Sequence, residues 1–546
     1  LKPKNKKIEF KKRCTMSKMT GGEALAKSLI LNKVEVIFGL PGVQLYHALD
    51  GLAKEKQIRF ITTRHEQATT YMADGYSRAS GKIGVAMVVP GPGLQNASAG
   101  IGTAYSASSP ILVISGQIEK DSIGLDEGKL HEVNDQMESI APVTKWRKRI
   151  LNASDIPDAV NEAFTQLNTG RPRPVEIEIP PETLAEQTNA ELIEPEIISP
   201  KGINETDLKM LTNELLKSKN PLLWVGGGVI SSDATKELIE LAEFLQCPVI
   251  LSNQGKGAFP EDHELCLGSL HRNEPYIEKL KEHDLSIAIG TRMGVAATSH
   301  INHKVLHIDI DEKEVGINHA DSIPLIGDAK TSLKMLNKNL QTQSNPRKLN
   351  PNLKELLQFR KNALTKLEPQ ASFTEAIREA MPEKSVFVSG MTQIGYYSRT
   401  GYPVNESRTY ITSSYYGNLG YAYPTALGAK VGRPDLPVLA VSGDGGFLFN
   451  SQEMATAKQF NINATVVVFN DNAYGNVMRD QKLNFDGREY ASKLENPDFQ
   501  KLADAYGINF YQANSADQLN ESIKKSFKIN QPSFIEVPVG PMPRPW

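Results

Sequence analysis

Short apolar runs alternate with amphipathic stretches along most of the chain, and the apolar runs end at glycine- or proline-containing turns. Near the amino terminus this pattern predicts helices over 22–32 and 68–80 and strands over 34–38 and 58–62. Strands that alternate with helices form parallel sheets that are covered by helices on both faces. We therefore predict an α/β fold built from doubly wound parallel sheets.

Two connections divide the chain into three α/β segments. One is rich in Pro and Glu and spans about 181–205, and the other is a polar linker over 340–351. The first residues are strongly basic, and no apolar stretch that could be a secretory signal follows them. The predicted organisation is a basic, disordered tail followed by three domains, at 1–19, 20–182, 183–350 and 351–546.

The most informative pattern lies in the third domain. An apolar run over 438–441 leads into Gly443-Asp444-Gly445-Gly446, and a helix with Ser451 as its N-cap should follow. A second apolar run over 464–469 ends at Asn470-Asp471. This order of strand, helix and strand predicts a βαβ unit with two parallel strands.

Asp444 and Asp471 should therefore meet at one edge of the sheet, where open α/β folds bind ligands. Carboxylate oxygens are ligands that Mg²⁺ prefers, and glycine N–H groups can approach phosphate oxygens closely. The pattern thus predicts a site for a magnesium ion and a diphosphate. The alternative is a structural surface turn, because Gly-Asp-Gly by itself is common.

The composition excludes several other classes of protein. The chain has 546 residues, 40% hydrophobic content and a formal net charge of −2, which suits neither a nucleic acid nor a membrane partner. No run of 18 apolar residues exists to span a bilayer. The three cysteines, Cys14, Cys247 and Cys266, are too few and too scattered for a disulfide framework and fit a reducing cytoplasm.

The Gly-Asp-Gly stretch and the Asn470-Asp471 pair resemble the cofactor-binding motif of thiamine diphosphate (ThDP) enzymes, in which an Asn-Asn pair follows some 25 residues later. Upstream, Phe38-Gly-Leu-Pro-Gly42, Arg64-His-Glu-Gln67 and Pro90-Gly-Pro-Gly-Leu-Gln-Asn96 occur in the order seen in acetolactate synthase-like enzymes, a group that includes pyruvate oxidases and decarboxylases. The resemblance spans roughly residues 20 to 546. It implies a pyrimidine-binding first domain, a central domain and a diphosphate-binding third domain.

The resemblance also implies roles for residues of the third domain. Asp444, Asp471 and the backbone carbonyl of Ala473 would hold Mg²⁺, and Asp471 departs from the usual Asn of the family. The carbonyl of Gly417 would receive the amino group of the cofactor, and Leu419 would be the apolar wedge that bends it, although Leu419 is equally suited to a plain core position. The remaining cofactor-binding positions are Gly395, Gly443, Gly445 and Gly446.

In the first domain, Glu66 lies where a strand passes into a helix. A carboxylate there has a structural explanation, since helix N-termini favour negative charge. In the family, the matching glutamate binds the aminopyrimidine ring, drives its imino tautomer and so generates the thiazolium carbanion. His131 stands where the family has a glutamine that faces the reaction centre, so it is a candidate proton relay, the alternative being a surface or packing residue.

Two further residues are candidates for substrate contact. Lys256 lies in Gln254-Gly-Lys-Gly257, where the family sends a loop towards the substrate, and it would hold an anionic group; a solvated lysine is the alternative. Val477 lies in a segment that resembles the helix closing over the substrate.

The central domain raises the question of a second cofactor. Gly226-Gly-Gly228 follows an apolar run but lacks the spacing of a dinucleotide fingerprint. In the family this domain carries FAD in acetolactate synthases, a different nucleotide in some relatives and nothing in others. FAD is therefore possible here, and its presence stays open.

The resemblance implies ThDP-dependent decarboxylation of a 2-oxo acid such as pyruvate, with carboligation of the resulting enamine, in a homodimer or homotetramer. Two departures affect the acceptor: Ala296 replaces an arginine of the family, and Asp480 replaces a tryptophan of the closing helix. The alternative is a lyase or decarboxylase that acts on another 2-oxo or 2-hydroxyacyl substrate. A third reading is an inactive structural or regulatory paralogue, which the presence of Glu66, Asp444 and Asp471 disfavours.

Overall fold

The structure is a computed structural model that describes residues 18–269, 278–294, 301–348, 351–363 and 367–544. Most of the predicted basic tail, and Ala296, lie outside the described residues. Each of the three predicted segments contains one six-stranded sheet, and all neighbouring strands in these sheets are parallel. The predicted α/β fold with three parallel-sheet domains is confirmed, while the domain boundaries themselves stay predictions.

The first sheet has the strand order β3-β2-β4-β5-β7-β6, and the short strands β1 and β8 pair antiparallel beside it. Its inner strands are fully buried, which explains why they are continuous apolar runs in the sequence. Its strands are β1 Met19–Thr20, β2 Val36–Gly39, β3 Arg59–Thr62, β4 Gly84–Val88, β5 Ile111–Gly116, β6 Trp146–Arg149, β7 Val175–Ile179 and β8 Gln187–Thr188. Its helices are Gly21–Leu31, Tyr46–Lys54, Glu66–Ser80, Pro92–Ala107, Gln136–Ser139, Ile156–Asn168 and Pro181–Ala185.

The central sheet has a different order, β11-β10-β9-β12-β13-β14. This is the order of doubly wound dinucleotide-binding folds, whose ligand crevice lies where the strand order reverses, here between β9 and β12. The strands are β9 Pro221–Val225, β10 Val249–Leu251, β11 Cys266–Gly268, β12 Leu285–Ile289, β13 Lys304–Asp309 and β14 Ile323–Ile326. The described helices are Glu205–Lys217, Gly227–Ser231, Thr235–Leu245 and Ala329–Gln343, followed by Pro351–Ala363 in the linker region.

The third sheet repeats the topology of the first, with the order β16-β15-β17-β18-β20-β19. Its strands are β15 Val386–Ser389, β16 Tyr410–Thr412, β17 Val438–Gly443, β18 Thr465–Asn470, β19 Asn509–Gln512 and β20 Ser533–Pro538. Its helices are Gln370–Ala380, Gln393–Gly401, Ala422–Gly432, Asp444–Leu448, Glu453–Phe460, Gly475–Asn484, Phe499–Tyr506 and Ala516–Ile529.

The helix that follows β17 differs from the prediction. It is split into Asp444–Leu448 and Glu453–Phe460, and the N-cap of the second part is Gln452, which makes no side-chain cap hydrogen bond. The prediction that Ser451 caps the helix is wrong, because the chain leaves the strand directly into a first helical turn at Asp444. This turn brings the glycines next to Asp444 close to the end of β17.

The first and third domains share one hydrophobic core, which contains residues from β2, β4 and β5 together with residues from β15, β17 and β18. The helices Glu66–Ser80 and Ala422–Gly432 cross with their backbones in close contact. A Cβ on Gly75 would lie 2.0 Å from the carbonyl oxygen of Thr425, and one on Gly428 would lie 2.0 Å from that of Met72. Glycine is required at both positions, because only glycine allows two backbones to approach so closely.

Candidate active site

Asp444 and Asp471 lie side by side at the carboxyl edge of the third sheet. They directly follow β17 and β18, which are neighbouring parallel strands with Gly443 opposite Phe469. Asp444 is buried, and the pKa of Asp471 is raised to about 6, first by burial and then by the negative charge of Asp444. Two carboxylates that repel each other in a partly dry site are stabilised by a cation between them. The βαβ unit therefore places the two acids as the sequence predicted.

A third polar residue, Asn496, lies at this edge. The side-chain amide of Asn496 donates to Asp444 Oδ2 at 2.6 Å, to Asn470 Oδ1 at 3.0 Å and to Asn472 Oδ1 at 3.1 Å. The backbone on both sides of Ala473 also pairs with the segment before Asn496, through Tyr474 N to Ser492 O and Leu494 N to Asn472 O, both at 2.8 Å. The segment 492–496 thus holds the loop that carries Asp471 and Ala473.

Glycines next to Asp444 leave space at this edge. A Cβ on Gly446 would be 3.7 Å from Leu419 Cδ2, so the predicted wedge residue lies against the glycine-rich turn. A Cβ on Gly443 would meet only Thr392, at 3.7 Å, whereas one on Gly445 would be 2.6 Å from the ring of Tyr474. Gly443 and Gly446 therefore border a cradle that is open at Gly443 and tighter at Gly446, where a Cβ would be 3.3 Å from Ser442 Oγ, and Gly445 is required by close packing.

Gly417 and Gly395 lie nearby with different constraints. Gly417 has φ of +65°, a backbone conformation that favours glycine, and a Cβ there would be 3.5 Å from the Met391 methyl group. A Cβ on Gly395 would be 2.0 Å from the carbonyl oxygen of Gly390, and the carbonyl of Gly395 accepts hydrogen bonds from Ser389 and Ser398. The glycine at position 395 is thus explained by helix–strand packing.

Glu66 begins the helix Glu66–Ser80 in the first domain, after the N-cap residue His65. Its Oε2 accepts a hydrogen bond from the side-chain amide of Asn96 at 3.0 Å, and its side chain is 13% exposed. Within the described residues, none of its hydrogen bonds or ion pairs joins it to Asp444, Asp471 or Leu419. Glu66 thus has its own polar partner in the first domain, separate from the hydrogen bonds of Asp444.

His131 is held in a loop above the first sheet. It has φ of +71°, and its Nδ1 lies 3.1 Å from Gln44 Oε1, while Gln44 Nε2 donates to the carbonyl of Leu130 at 3.1 Å. Its carbonyl oxygen leaves no room for a Cβ on Gly91, which would be 2.2 Å away. The ring of His131 is therefore oriented by a buried glutamine, and the proposed relay role stays a prediction.

The two predicted substrate residues have contrasting surroundings. Lys256 is only 1% exposed, forms an ion pair with Glu261 and lies 5.3 Å from the ring centroid of Tyr410. The alternative of a solvated lysine is wrong, and the ammonium group already has a carboxylate partner. Val477 is 51% exposed on the helix Gly475–Asn484, in which no residue is buried. Val477 is thus an exposed apolar side chain on the helix that was predicted to close over the substrate.

Sequence reasoning missed Asn496 and Glu453. Glu453 is fully buried, and burial raises the pKa of its carboxyl to about 7. Its carboxylate accepts from the backbone N–H of Arg64, two residues before Glu66. A buried acid at a helix start was visible in the sequence only as an ordinary helix N-terminal glutamate, and Asn496 lies in a loop without periodicity.

The arrangement fits a magnesium ion and a diphosphate. No group of three or more His, Cys, Asp or Glu side chains that could hold a metal occurs among the described residues, so a cation here would be held by two carboxylates and by neutral oxygens. Mg²⁺ accepts such a set, because it keeps waters and substrate phosphates among its six oxygen ligands. The cradle at Gly443 and Gly446 leaves space for the phosphates next to it.

A large cavity lies elsewhere, at the central domain, with a volume of about 1480 Å³. It is bordered by Gly227, Gly228 and Gly290 at the reversal of strand order and by Asp309 at the end of β13. Burial raises the pKa of Asp309 to about 6. The position and size of this cavity suit a nucleotide.

Among the described residues, no helix is long and apolar enough to cross a membrane. Models of thiamine pyrophosphate enzymes match three parts of the chain: the N-terminal TPP binding domain at 19–139, the central domain at 208–336 and the C-terminal TPP binding domain at 390–537.

Several relatives align with nearly the whole chain. It is 33% identical to the probable acetolactate synthase large subunit of Methanocaldococcus jannaschii, over 96% of this chain and 92% of the relative. It is also 33% identical to the acetolactate synthase large subunit of Haemophilus influenzae, over 96% and 95%. A probable 2-ketoarginine decarboxylase of Pseudomonas aeruginosa is 33% identical over 95% and 94%. The chain therefore belongs to the thiamine pyrophosphate enzymes, and within them to the acetolactate synthase-like family.

Proposed function

We propose that this protein decarboxylates a 2-oxo acid and joins the remaining fragment to a second carbonyl compound, as the names of its acetolactate synthase relatives describe for those proteins. The observation that carries this proposal is the pair of carboxylates Asp444 and Asp471 beside the glycine cradle and Leu419. ThDP, when bound, supplies an electron sink for the loss of CO₂. The protein supplies binding, orientation and proton transfer.

Asp444, Asp471 and the backbone carbonyl of Ala473 would hold Mg²⁺, which in turn would hold the diphosphate. The N–H groups at Gly443, Gly445 and Gly446 would contact phosphate oxygens. The raised pKa of Asp471, caused first by burial and then by the charge of Asp444, supports this assignment, because a divalent cation would offset both effects.

Glu66 would hold or move the proton at the pyrimidine nitrogen, since a carboxylate is a strong acceptor at short range. Asn96, which donates to Glu66 Oε2, would keep the side chain in one orientation. Gly417 would offer its carbonyl oxygen to the pyrimidine amino group, and Leu419 would support the bent cofactor. Gly395 would line the same site from the helix Gln393–Gly401.

On the substrate side, His131 would transfer a proton, with Gln44 selecting its orientation. Val477 would exclude water from the reacting atoms. Lys256 would need to leave Glu261 to bind an anion directly, so a role through the Glu261 ion pair is better supported by the structure than direct contact.

A second candidate function is decarboxylation of a 2-oxo acid without carboligation. Asp480 favours it, because this acid stands in the closing helix where carboligases of the family have a tryptophan. Its Oδ1 lies 3.6 Å from Arg479 and accepts no hydrogen bond from the described residues. One relative is named a decarboxylase of a 2-oxo acid that carries a guanidinium group. A carboxylate near the substrate would suit such a cation.

We also propose that the central cavity binds a nucleotide, with FAD as the first candidate. Its place at the reversal of strand order and the carboxylate of Asp309, which can accept from ribose hydroxyl groups, support this assignment. The absorption spectrum of the protein as purified tests it, because a bound flavin is yellow.

We further propose a homodimer or homotetramer in the cytoplasm. This proposal rests on the resemblance to the acetolactate synthase-like enzymes, which implies an assembly of two or four chains. Cys247 and Cys266 are buried and form no disulfide with each other, which suits a reducing compartment.

The function is tested by steady-state assay of the purified protein with ThDP, Mg²⁺ and a panel of 2-oxo acids that includes pyruvate and a guanidinium-bearing acid. Release of CO₂ with acetolactate from pyruvate supports the carboligase. Release of CO₂ with an aldehyde alone, from any member of the panel, supports the second candidate. No CO₂ from any member would contradict both.

A further inference from the structure

Glu453 is a fully buried carboxylate of the third domain that contacts the backbone of the first domain. It begins the helix Glu453–Phe460. Both of its carboxylate oxygens accept from the backbone N–H of Arg64, at 3.1 and 3.2 Å. Arg64 lies two residues before Glu66, so an acid from one domain holds the chain where it enters the helix that Glu66 begins.

Neighbouring contacts show that this part of the first domain is anchored on both sides of Glu66. Thr456 Oγ1 donates to Glu453 Oε2 at 2.6 Å and so fixes the carboxylate. The side-chain amide of Asn450 donates to Gln67 Oε1 at 3.3 Å. Both Asn450 and Glu453 come from the segment that directly follows the turn beginning at Asp444.

The contact is costly to maintain. Burial raises the pKa of Glu453 to about 7, so the ionised carboxylate is disfavoured in its surroundings. The guanidinium group of Arg64 donates instead to Gln459 Oε1, at 2.6 Å. The hydrogen bonds from the Arg64 N–H and from Thr456 offset part of the cost of burying this acid.

We propose that Glu453 is a positioning residue for Glu66: by holding the N–H of Arg64, it fixes the first turn of the helix and thereby the direction of the Glu66 carboxylate. This role rests on the proposed function of Glu66 in the ThDP site. Because proton transfer depends on positions held to a fraction of an ångström, a loosened helix start slows it without removing any reacting group.

Three variants test this role. Glu453→Met introduces an apolar side chain of similar length and removes both acceptor oxygens. Glu453→Gln keeps one acceptor oxygen and serves as the conservative rescue. Gln459→Ala is the matched control, since it removes the contact to the Arg64 side chain and leaves the backbone contact intact.

The measurements are the rate of hydrogen–deuterium exchange at C2 of bound ThDP, kcat on the best 2-oxo acid, and the dissociation constant of ThDP in the presence of Mg²⁺. For Glu453→Met we expect exchange and kcat to fall by about a hundredfold. The ThDP dissociation constant should change less than threefold, because Asp444, Asp471 and Ala473, which would hold Mg²⁺, are unchanged. Glu453→Gln should lie between Glu453→Met and wild type, and Gln459→Ala should match wild type.

Exchange at the wild-type rate in Glu453→Met overturns the positioning role and leaves the proposed function intact. Should Glu453→Met fail to fold, exchange at the wild-type rate in Glu453→Gln overturns it equally. A fall in ThDP affinity that matches the fall in exchange also overturns it, since that points to a general structural role. If the wild-type protein itself gives no exchange with ThDP and Mg²⁺, the proposed function fails, and this role fails with it.

Discussion

At the scale of single residues, the sheet edge with Asp444 and Asp471 holds two neighbouring acids and an amide that orients one of them. Burial and then the charge of Asp444 raise the pKa of Asp471, and Asn496 holds Asp444 together with Asn470 and Asn472. The side-chain amide of Asn496 carries no net charge, so it orients these oxygens without adding a positive charge beside a cation. It fixes the oxygens in the positions that a small, geometrically demanding ion needs.

Replacing Asn496 with Ala should weaken Mg²⁺ binding in the presence of ThDP by about 10- to 100-fold, because hydrogen bonds that orient metal ligands have effects of this size. Calorimetric titration of the metal-free protein with Mg²⁺ measures it. Asn509→Ala, which removes hydrogen bonds at a distant turn, is the control and should bind as wild type. An Asn496→Ala protein with unchanged Mg²⁺ affinity would refute the role of this residue.

The placement of Asp444 and Asp471 was predictable from the sequence. Each follows an apolar run, and a βαβ unit brings the carboxyl ends of its two parallel strands to the same edge of the sheet. Asn496 and Glu453 were not, since their roles arise from contacts between segments far apart in the sequence. The burial of Lys256 was also not predictable. The sequence left open a lysine that holds an anionic substrate or a solvated lysine, whereas the ion pair with Glu261 allows the side chain to be buried.

At the scale of elements, strand β7 of the first sheet contains two buried acidic side chains. Glu176 and Glu178 are both fully buried on its polar face. Ser115 donates to Glu176 at 2.5 Å, and Glu178 forms an ion pair with Arg149. The pKa of Glu176 is raised well above its ordinary value, first by burial and then by the charge of Glu178.

This shift predicts how stability depends on pH. Below its ordinary pKa, Glu176 is protonated in both the folded and the unfolded chain. As pH rises above that value, the unfolded chain loses the proton while the folded chain keeps it, so stability falls until pH reaches the raised pKa. Glu176→Gln removes this loss, and its stability relative to wild type should increase from pH 5 to pH 8.

Urea unfolding followed by circular dichroism at several pH values measures the difference. Glu182→Gln, on the solvent-exposed start of the helix Pro181–Ala185, is a suitable control and should show no such trend. A constant difference between Glu176→Gln and wild type across this range would contradict the assignment of a retained proton.

Element boundaries were predicted to within about two residues where the apolar period was strong. The strand predicted over 58–62 is Arg59–Thr62, and the helix predicted over 68–80 begins two residues earlier, at Glu66. The error at Ser451 has a physical cause: a close backbone turn at Asp444 replaces the side-chain cap that the pattern favoured.

At the scale of the whole molecule, the first and third domains are two copies of one sheet topology that pack through crossed helices. The contact at Gly75 and Gly428 sets how closely they approach. The sequence predicted parallel sheets in all three segments. It could not predict this contact, because a glycine in an apolar helix has no periodic signature of its partner.

Gly428→Ala should lower the free energy of unfolding by about 1–3 kcal/mol, because the added methyl group would overlap the backbone of Met72. Thermal unfolding of the purified protein measures it. Gly540→Ala is the control, since a Cβ there meets no atom within 4 Å. Equal stabilities of Gly428→Ala and wild type would show that the helices can separate at no cost.

The central claim is that Glu66 activates ThDP held by Asp444 and Asp471. The most direct test is the rate of hydrogen–deuterium exchange at C2 of bound ThDP, at saturating ThDP and Mg²⁺, in wild type and in Glu66→Gln. We predict rapid exchange in wild type and a rate at least about 100-fold lower in Glu66→Gln, in keeping with the usual contribution of a positioned acid–base group. Exchange in Glu66→Gln at the wild-type rate would contradict the claim.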